Sequence, residues 1–444
     1  MLSSDPALRE KSIMPKIKDE QLSRLRYRVA LIRKSGRAGA ILCCACGLAR
    51  ESVAQQILAP MPTIPLTPPA LLDLNGAPKT GENPTGASII PSEFQLFKWG
   101  PVDVHPHVDY QVTYGTGIES TPGNDQASIV QTFSPGVTLN LGTHWTLDYT
   151  PSLTYYSSSQ FSDTVSQNAA LTGGGSYEDL IYSLTQTYSE SSAPLVETGT
   201  QTESETYNTS LTGSYAFNTE MSLDISLTQN FNYVTDFQSY REWATLEYLN
   251  YQFWSRLTVG LGAGLTYDNI PGSSDMLSEI LQARVQWRIT DKTSFSVNGG
   301  AEDQQFLSGG APPTLTPTFG ASVNYQPAIS TSLSLNASRS ITPAILFNEV
   351  TTITQAGVDL NQRLFARLNL LLSGTYSETS YSSSISGLSA DRADDYYSLN
   401  ARLSWSFLKR ATASVFYQYS INSSSANSFA FNSNQTGFEI GYRF

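Results

Sequence analysis

The sequence predicts an all-β fold: a transmembrane antiparallel up-and-down β-barrel of about 18 strands, with short periplasmic turns and long extracellular loops. Three observations predict it. Apolar and polar residues alternate from Val102 to the last residue, which is the period of a strand. Short polar or cationic turns recur near His144, Glu178, Thr219, Ser255, Asp291, Ile329, Phe365 and Lys409, separated by longer stretches rich in Ser, Gly, Asn or Pro. Only 14% of the residues are charged and 11% are aromatic, yet mean hydropathy is −0.21, and no long apolar run beyond residue 55 could form a helical span.

The chain divides into three parts. Residues 1–54 read as a signal peptide: a basic region from Lys16 to Arg37, an apolar stretch from Ala38 to Ala49, and Ser52-Val53-Ala54 as the cleavage motif. Met14 serves equally well as the start. Cys43, Cys44 and Cys46 all fall inside this segment, so the exported chain is expected to hold no disulfide. Residues 55–100, with Pro60-Met61-Pro62 and Pro68-Pro69, read as an extended periplasmic linker, and whether they enter the barrel is left open by their composition. Residues 101–444 form the barrel. Residues 1–54 hold 11 of the 26 basic and 5 of the 38 acidic residues, so the remainder carries a net charge of −18. An acidic surface of this kind favours a cationic or neutral ligand and disfavours nucleic acid.

Eight short turns and nine long loops give 18 strands, with both ends on the short-turn side. Spacing near 40 residues also suits a β-propeller, but a blade needs four strands and each unit here has two. Leu257, Val259, Leu261, Ala263, Leu265 and Tyr267 alternate with Thr258, Gly260, Gly262, Gly264 and Thr266, so one face is oily and the other small and polar. Lipid outside and water inside accounts for both faces. Aromatics gather at both strand ends, with Trp145, Trp254, Trp287, Tyr325 and Trp405 near short turns and Tyr114, Tyr155, Tyr188, Tyr267 and Tyr376 near long loops, as two membrane interfaces favour. In the eighth strand, Trp243 to Phe253, Leu246 and Tyr248 fall on one face and Leu249 and Tyr251 on the other, which predicts a bulge.

The chain closes on Phe438, Ile440, Tyr442 and Phe444, every second residue of the last strand. This resembles the C-terminal signal of bacterial outer-membrane proteins, and the resemblance implies recognition by the barrel-assembly machinery and residence in outer-membrane lipid. Val104-His105-Pro106-His107-Val108-Asp109-Tyr110, Phe133-Ser134-Pro135-Gly136-Val137 and Leu147-Asp148-Tyr149-Thr150-Pro151 resemble the opening hairpins of the β-barrel porin 2 family. That resemblance spans about residues 100–444 and implies a role in exopolysaccharide secretion, with polysaccharide and periplasmic export proteins as partners.

Catalytic chemistry is poorly represented. The only histidines, His105, His107 and His144, fall at the periplasmic rim, and His105-Pro106-His107 reads as the start of a strand rather than a metal site. Glu302-Asp303 and Asp394-Asp395 border long loops and read as solvated acids, since adjacent strand residues point to opposite faces and cannot flank a glycosidic bond. Gly260, Gly262 and Gly264 leave room in the lumen or permit curvature. No enzyme activity, metal or cofactor is expected. The charged candidates for the lumen wall are Asp224, Arg284, Arg288, Asp359, Arg363, Arg402, Glu439 and Arg443, set among Ser, Thr, Asn and Gln. The expected function is export of exopolysaccharide through an outer-membrane channel; a general diffusion porin for small hydrophilic solutes and a structural or adhesive surface protein are the alternatives.

Overall fold

A computed structural model describes residues 97–116, 127–159, 161–193, 195, 197, 201–308, 311–385 and 392–444. The expected signal peptide and all but the last residues of the expected linker lie outside the described residues. Pairing begins inside that linker, at the short strand β1 (Phe97–Trp99). The barrel strands follow as β2 (Val102–Thr116), β3 (Ala127–Leu141), β4 (Trp145–Tyr156), β5 (Thr164–Tyr177), β6 (Leu180–Ser191), β7 (Ser204–Ala216), β8 (Met221–Val234), β9 (Tyr240–Trp254) and β10 (Leu257–Asn269). The other half comprises β11 (Met276–Thr290), β12 (Thr293–Phe306), β13 (Thr314–Ala328), β14 (Thr331–Pro343), β15 (Glu349–Phe365), β16 (Leu368–Ser383), β17 (Ala393–Trp405), β18 (Ala411–Ser424) and β19 (Phe431–Arg443).

Every strand from β2 to β19 pairs antiparallel with the next, and β19 returns to β2 through a register that runs from Asn434–Thr116 to Arg443–His107. The result is a closed 18-stranded antiparallel barrel. Closure satisfies every ladder without an open edge, which the hydrocarbon core of a bilayer demands. β19 ends above the first residues of β2, and β1 covers the edge left there, with Phe97 opposite Val104 and Trp99 opposite Val102. The Phe444 N–H completes the seam by donating to the Pro106 carbonyl at 2.9 Å.

All eight sequence-predicted short turns fall between paired strands. Glu178-Asp179, Ser255-Arg256 and Asp291-Lys292 are two-residue connections. Glu178 adopts a φ of 51° in the first of them, the left-handed conformation that such hairpin turns require. The register then fixes the faces. Leu257, Leu261 and Tyr267 of β10 share the outer face with Trp287, Ala283 and Leu277 of β11, and Leu261 is 68% exposed on that face. Trp254, Trp287, Tyr325, Phe365 and Trp405 are exposed at the short-turn end, while Tyr114, Tyr155 and Tyr267 are exposed toward the loops. The loop-side tyrosines aim their hydroxyls at polar neighbours: Tyr188 donates to Glu190 at 3.0 Å, Tyr376 to Asp395 at 2.9 Å and Tyr267 to Asp275 at 2.9 Å. An apolar ring with its hydroxyl held by a polar partner suits headgroup depth. Not every outward position is apolar. Glu247 faces outward at the middle of β9, between Ile225 and Ala263, and accepts a hydrogen bond from Thr245 Oγ1 at 2.7 Å.

A closed barrel with an apolar, doubly girdled exterior is an integral membrane protein of the bacterial outer membrane. Leu261→Arg is therefore expected to lower the stability of the vesicle-refolded barrel by about 2 kcal/mol or more, read from urea unfolding. A loss below about 0.5 kcal/mol, the ordinary value for an exposed surface site, would place Leu261 outside the hydrocarbon.

Two expectations need correction. The eighth barrel strand, β9, is regular from Arg241 to Gln252 and contains no bulge near Leu246. The irregularity falls instead at the last residue of that stretch, where the pairing steps from Trp254–Leu257 to Gln252–Thr258 and passes over Phe253. Leu246 and Tyr248 face inward because Gly262 and Gly264 of β10 clear space for them: a Cβ on Gly262 would stand 2.6 Å from the Tyr248 ring, and one on Gly264 3.0 Å from Leu246. Glu302 and Asp394 are not solvated loop acids. Both lie within strands on the inner face and are 7% and 4% exposed, while their neighbours Asp303 and Asp395 turn outward.

Candidate functional site

The lumen wall is built from the inward half of each strand's alternation, and side chains on neighbouring strands tie it into networks. The densest network crosses the β7–β13 sector. Arg284 donates to Asp224 Oδ2 at 2.5 Å and to Asn250 Oδ1 at 2.6 Å, with its guanidinium 3.9 Å from the centre of the Tyr248 ring. Asn250 donates in turn to Asp224 at 2.9 Å, and Ser214 donates to the other carboxylate oxygen at 2.7 Å. Tyr248 donates to Gln282 at 2.7 Å, which links onward to Asn298 and Thr318. Gly260 makes room for this arrangement, because a Cβ there would lie 2.5 Å from Asn250 Oδ1. The glycines thus clear space for wall side chains rather than for open lumen.

The structure places the other sequence-predicted charges in the same face. Arg402 of β17 donates to Glu439 of β19 at 2.8 Å and lies 5.3 Å from the Phe416 ring. Arg288, Asp359 and Arg363 occupy inner positions of β11 and β15, and Arg443 occupies the last inner position of β19. Asp224 and Arg284 come together, as do Arg402 and Glu439. Phe438, Ile440, Tyr442 and Phe444 lie outward at the short-turn end of the seam, where the Tyr442 and Phe444 rings pack edge to face with centroids 4.8 Å apart. His107 faces inward, and its Nε2 lies 3.1 Å from Thr150 Oγ1. The ring takes the space over Gly136, where a Cβ would lie 2.2 Å from Nε2. Among the described residues, no group of three His, Cys, Asp or Glu side chains is placed to hold a metal ion.

Sequence reasoning did not find the outer mouth. Among the described residues, loops from most of the ring are joined there. Gln238, in the β8–β9 loop, donates its backbone N–H to the Ile345 carbonyl in the β14–β15 loop at 2.8 Å, and its side-chain oxygen accepts from Asn348 N at 3.0 Å. Ile345 N donates to Glu197 Oε1, in the β6–β7 loop, at 3.0 Å. Arg392, before β17, reaches the Glu197 carbonyl at 3.0 Å while holding Asp394 with two nitrogens, and its guanidinium lies 3.6 Å from the Phe429 ring centre and 4.5 Å from that of Tyr381. Ser384, in the β16–β17 loop, accepts from Ala311 N of the β12–β13 loop at 2.8 Å and meets Ser273 of the β10–β11 loop at 3.4 Å. The β6–β7 and β16–β17 loops stand on nearly opposite sides of an 18-strand ring, so the Arg392–Glu197 contact spans the mouth. Ile345, Gln238, Ile270 and Tyr240 are almost fully buried beneath this lid.

Loss of water around Glu197 pushes its carboxyl up to about 7, although the Ile345 N–H and the Arg392 guanidinium pull it down; Glu349 adds to the rise. A glutamate released to solvent titrates near 4.3. Closing the lid therefore takes up a proton between these two values. The contribution is full below the lower value, weakens by up to about 1.4 kcal/mol per pH unit between them, and is constant above about 7. Conductance across a planar bilayer is expected to rise from pH 5 to pH 7 and then level off, while Glu197→Gln gives a flat profile. A wild-type profile that is flat over that window would remove Glu197 from the lid's control.

No family model matches the chain, and no curated protein matches it. Solved outer-membrane structures share the barrel with it. OccK2 (OpdF) of Pseudomonas aeruginosa, solved in complex with glucuronate, is 10% identical with a TM-score of 0.41, covering 77% of this chain and 98% of that one. OccAB2 of Acinetobacter baumannii is 12% identical with a TM-score of 0.39, over 77% and 98% of the two chains. A loop L8 deletion mutant of OmpT, an outer membrane protein of Vibrio cholerae, is 10% identical with a TM-score of 0.35, over 77% and 99%. These are distant likenesses among outer-membrane barrels.

Proposed function

We propose that the protein is a lidded outer-membrane channel that exports exopolysaccharide. The observation that carries this reading is the inner wall: serine, threonine, asparagine and glutamine recur on its inward positions, as in Thr132 and Ser134 of β3 and Gln418, Ser420 and Asn422 of β18, all nearly fully buried while the lid is closed. A hydrated sugar polymer slides best along many weak, replaceable hydrogen bonds, and hydroxyls and amides supply both donors and acceptors. A barrel of 16–18 strands encloses an aqueous channel when its interior is not filled. The resemblance of the opening hairpins to the β-barrel porin 2 family supports the same reading, and the lid supports a channel that opens on demand over one that is permanently open.

Single-channel recording with added oligosaccharide tests the proposal. Neutral oligosaccharides of several sugar units are expected to interrupt the current in a concentration-dependent way, and a strain lacking the protein is expected to retain its polymer inside the outer membrane. Steady current indifferent to glycan, with secretion unchanged in the deletion strain, would favour a general diffusion porin. Adhesion lost on loop deletion, with permeability intact, would favour a surface protein whose loops do the work.

A further inference from the structure

Beneath the lid, the inner wall carries three carboxyls that the channel reading leaves without a task. Glu242 of β9 and Asp268 of β10 are register partners on the inner face. Glu302 of β12 joins them from beyond β11, whose intervening Ser278 is small and fully buried. Glu242, Asp268 and Glu302 are 4%, 1% and 7% exposed, and their charges act on one another. Both carboxylate oxygens of Asp268 and Oε1 of Glu242 are buried without a hydrogen-bond partner. Buried carboxylates left in this state cost several kcal/mol each unless they take up a proton or meet a cation.

The surroundings supply no compensating charge. The nine extracellular loops together contain a single basic residue, Arg392, and it is committed to Asp394 and Glu197. Asp275 in the β10–β11 loop adds further negative charge nearby. The basic residues gather instead toward the short-turn end, at Arg256, Lys292, Arg367, Lys409 and Arg410. Among the described residues no three acids converge to hold a metal ion, so two facing carboxyls, Glu242 and Asp268, are the core of the cluster.

We propose that Glu242, Asp268 and Glu302 form a subsite for an organic cation, the primary ammonium group of a solute in the channel. An ammonium carries three N–H donors and one positive charge. It satisfies the orphaned oxygens of Asp268 and Glu242 together and neutralises part of the cluster. This assignment rests on the channel reading for its biological meaning and narrows the substrate class to amine-bearing solutes.

Glucosamine and N-acetylglucosamine make the test, since they share a sugar ring and differ in one charged nitrogen. Saturation-transfer NMR on the full chain folded in detergent measures binding without requiring conduction. Glucosamine is expected to bind the wild type at least tenfold more tightly than N-acetylglucosamine, with the preference falling below twofold in Asp268→Asn and in the Glu242→Gln, Asp268→Asn double variant. Heat-modifiable migration checks that each variant is folded, and the isosteric single variant keeps the test open if the double variant fails to assemble. Equal binding of the two sugars by the wild type, a preference that survives in folded Asp268→Asn, or tight calcium binding that glucosamine cannot displace would each overturn the assignment. Absence of any current in planar bilayers would defeat the channel reading and leave the binding result to judge the subsite by itself.

Discussion

Arg284→Met is expected to lower the stability of the barrel by about 3 kcal/mol or more, because it strands Asp224 in the wall with its charge uncompensated. The guanidinium is 4% exposed and the carboxylate 16%, so little water reaches either group. Asn250 loses its own acceptor role at the same time, since Arg284 donates to its side-chain oxygen. The companion variant Asp224→Asn with Arg284→Met removes both charges and is expected to recover most of the loss. Urea unfolding of barrels refolded into vesicles, followed by tryptophan fluorescence, measures both. Equal losses in the single and double variants would mean that packing of Arg284 against Tyr248, rather than the ion pair, holds this sector.

The second large effect concerns the lid. Arg392→Ala removes a charge-assisted hydrogen bond to the Glu197 carbonyl and two close contacts with aromatic rings. Such interactions contribute about 1.5–3 kcal/mol and about 0.5–2 kcal/mol respectively. A combined loss of about 3 kcal/mol shifts the closed-to-open ratio by roughly a hundredfold, at about 1.4 kcal/mol per factor of ten. The variant is expected to spend far more time conducting in planar bilayers. The converse test uses the absence of cysteine beyond Cys46: Gln238→Cys with Ile345→Cys places two thiols on backbones joined by a 2.8 Å hydrogen bond. Oxidation is expected to abolish openings and reduction to restore them. Full conductance in the crosslinked protein would show that current passes beside the lid and not beneath it.

The barrel was legible because its determinants are local. Strand period, two-residue turns such as Asp291-Lys292 and the girdle aromatics are all short-range signals, and the eight turns they marked are the eight that join the strands. The wall charges followed from counting parity along the clearer strands. Asp268 and Glu242 were missed although parity would have found them. Asp268 lies two residues past Thr266 on the same face, but Asp268 to Ser274 has the composition of a loop, and the strand was ended early. Glu302 and Asp394 were misassigned for the same reason: polar strand ends that rise above the membrane look like loops in sequence. The phase change at Leu246 was a packing signal, not a register signal, since the explanation sits on β10 in Gly262 and Gly264. Nothing local announces the lid. Gln238 and Ile345 are joined only by the closure of the ring, and neither neighbourhood carries a pattern that names the other.

The same contacts that roof the mouth also act as spokes. Loops rooted on distant strands pull against one another, so while they remain engaged the outer rim is held to one outline, much as a hub keeps a wheel round. Releasing them frees the upper ends of β6 to β17 to flex toward an oval. Permeability and rim stiffness are then two readings of one equilibrium: amide exchange at Ser191, Val234 and Ser383 should quicken under whatever condition lets current through.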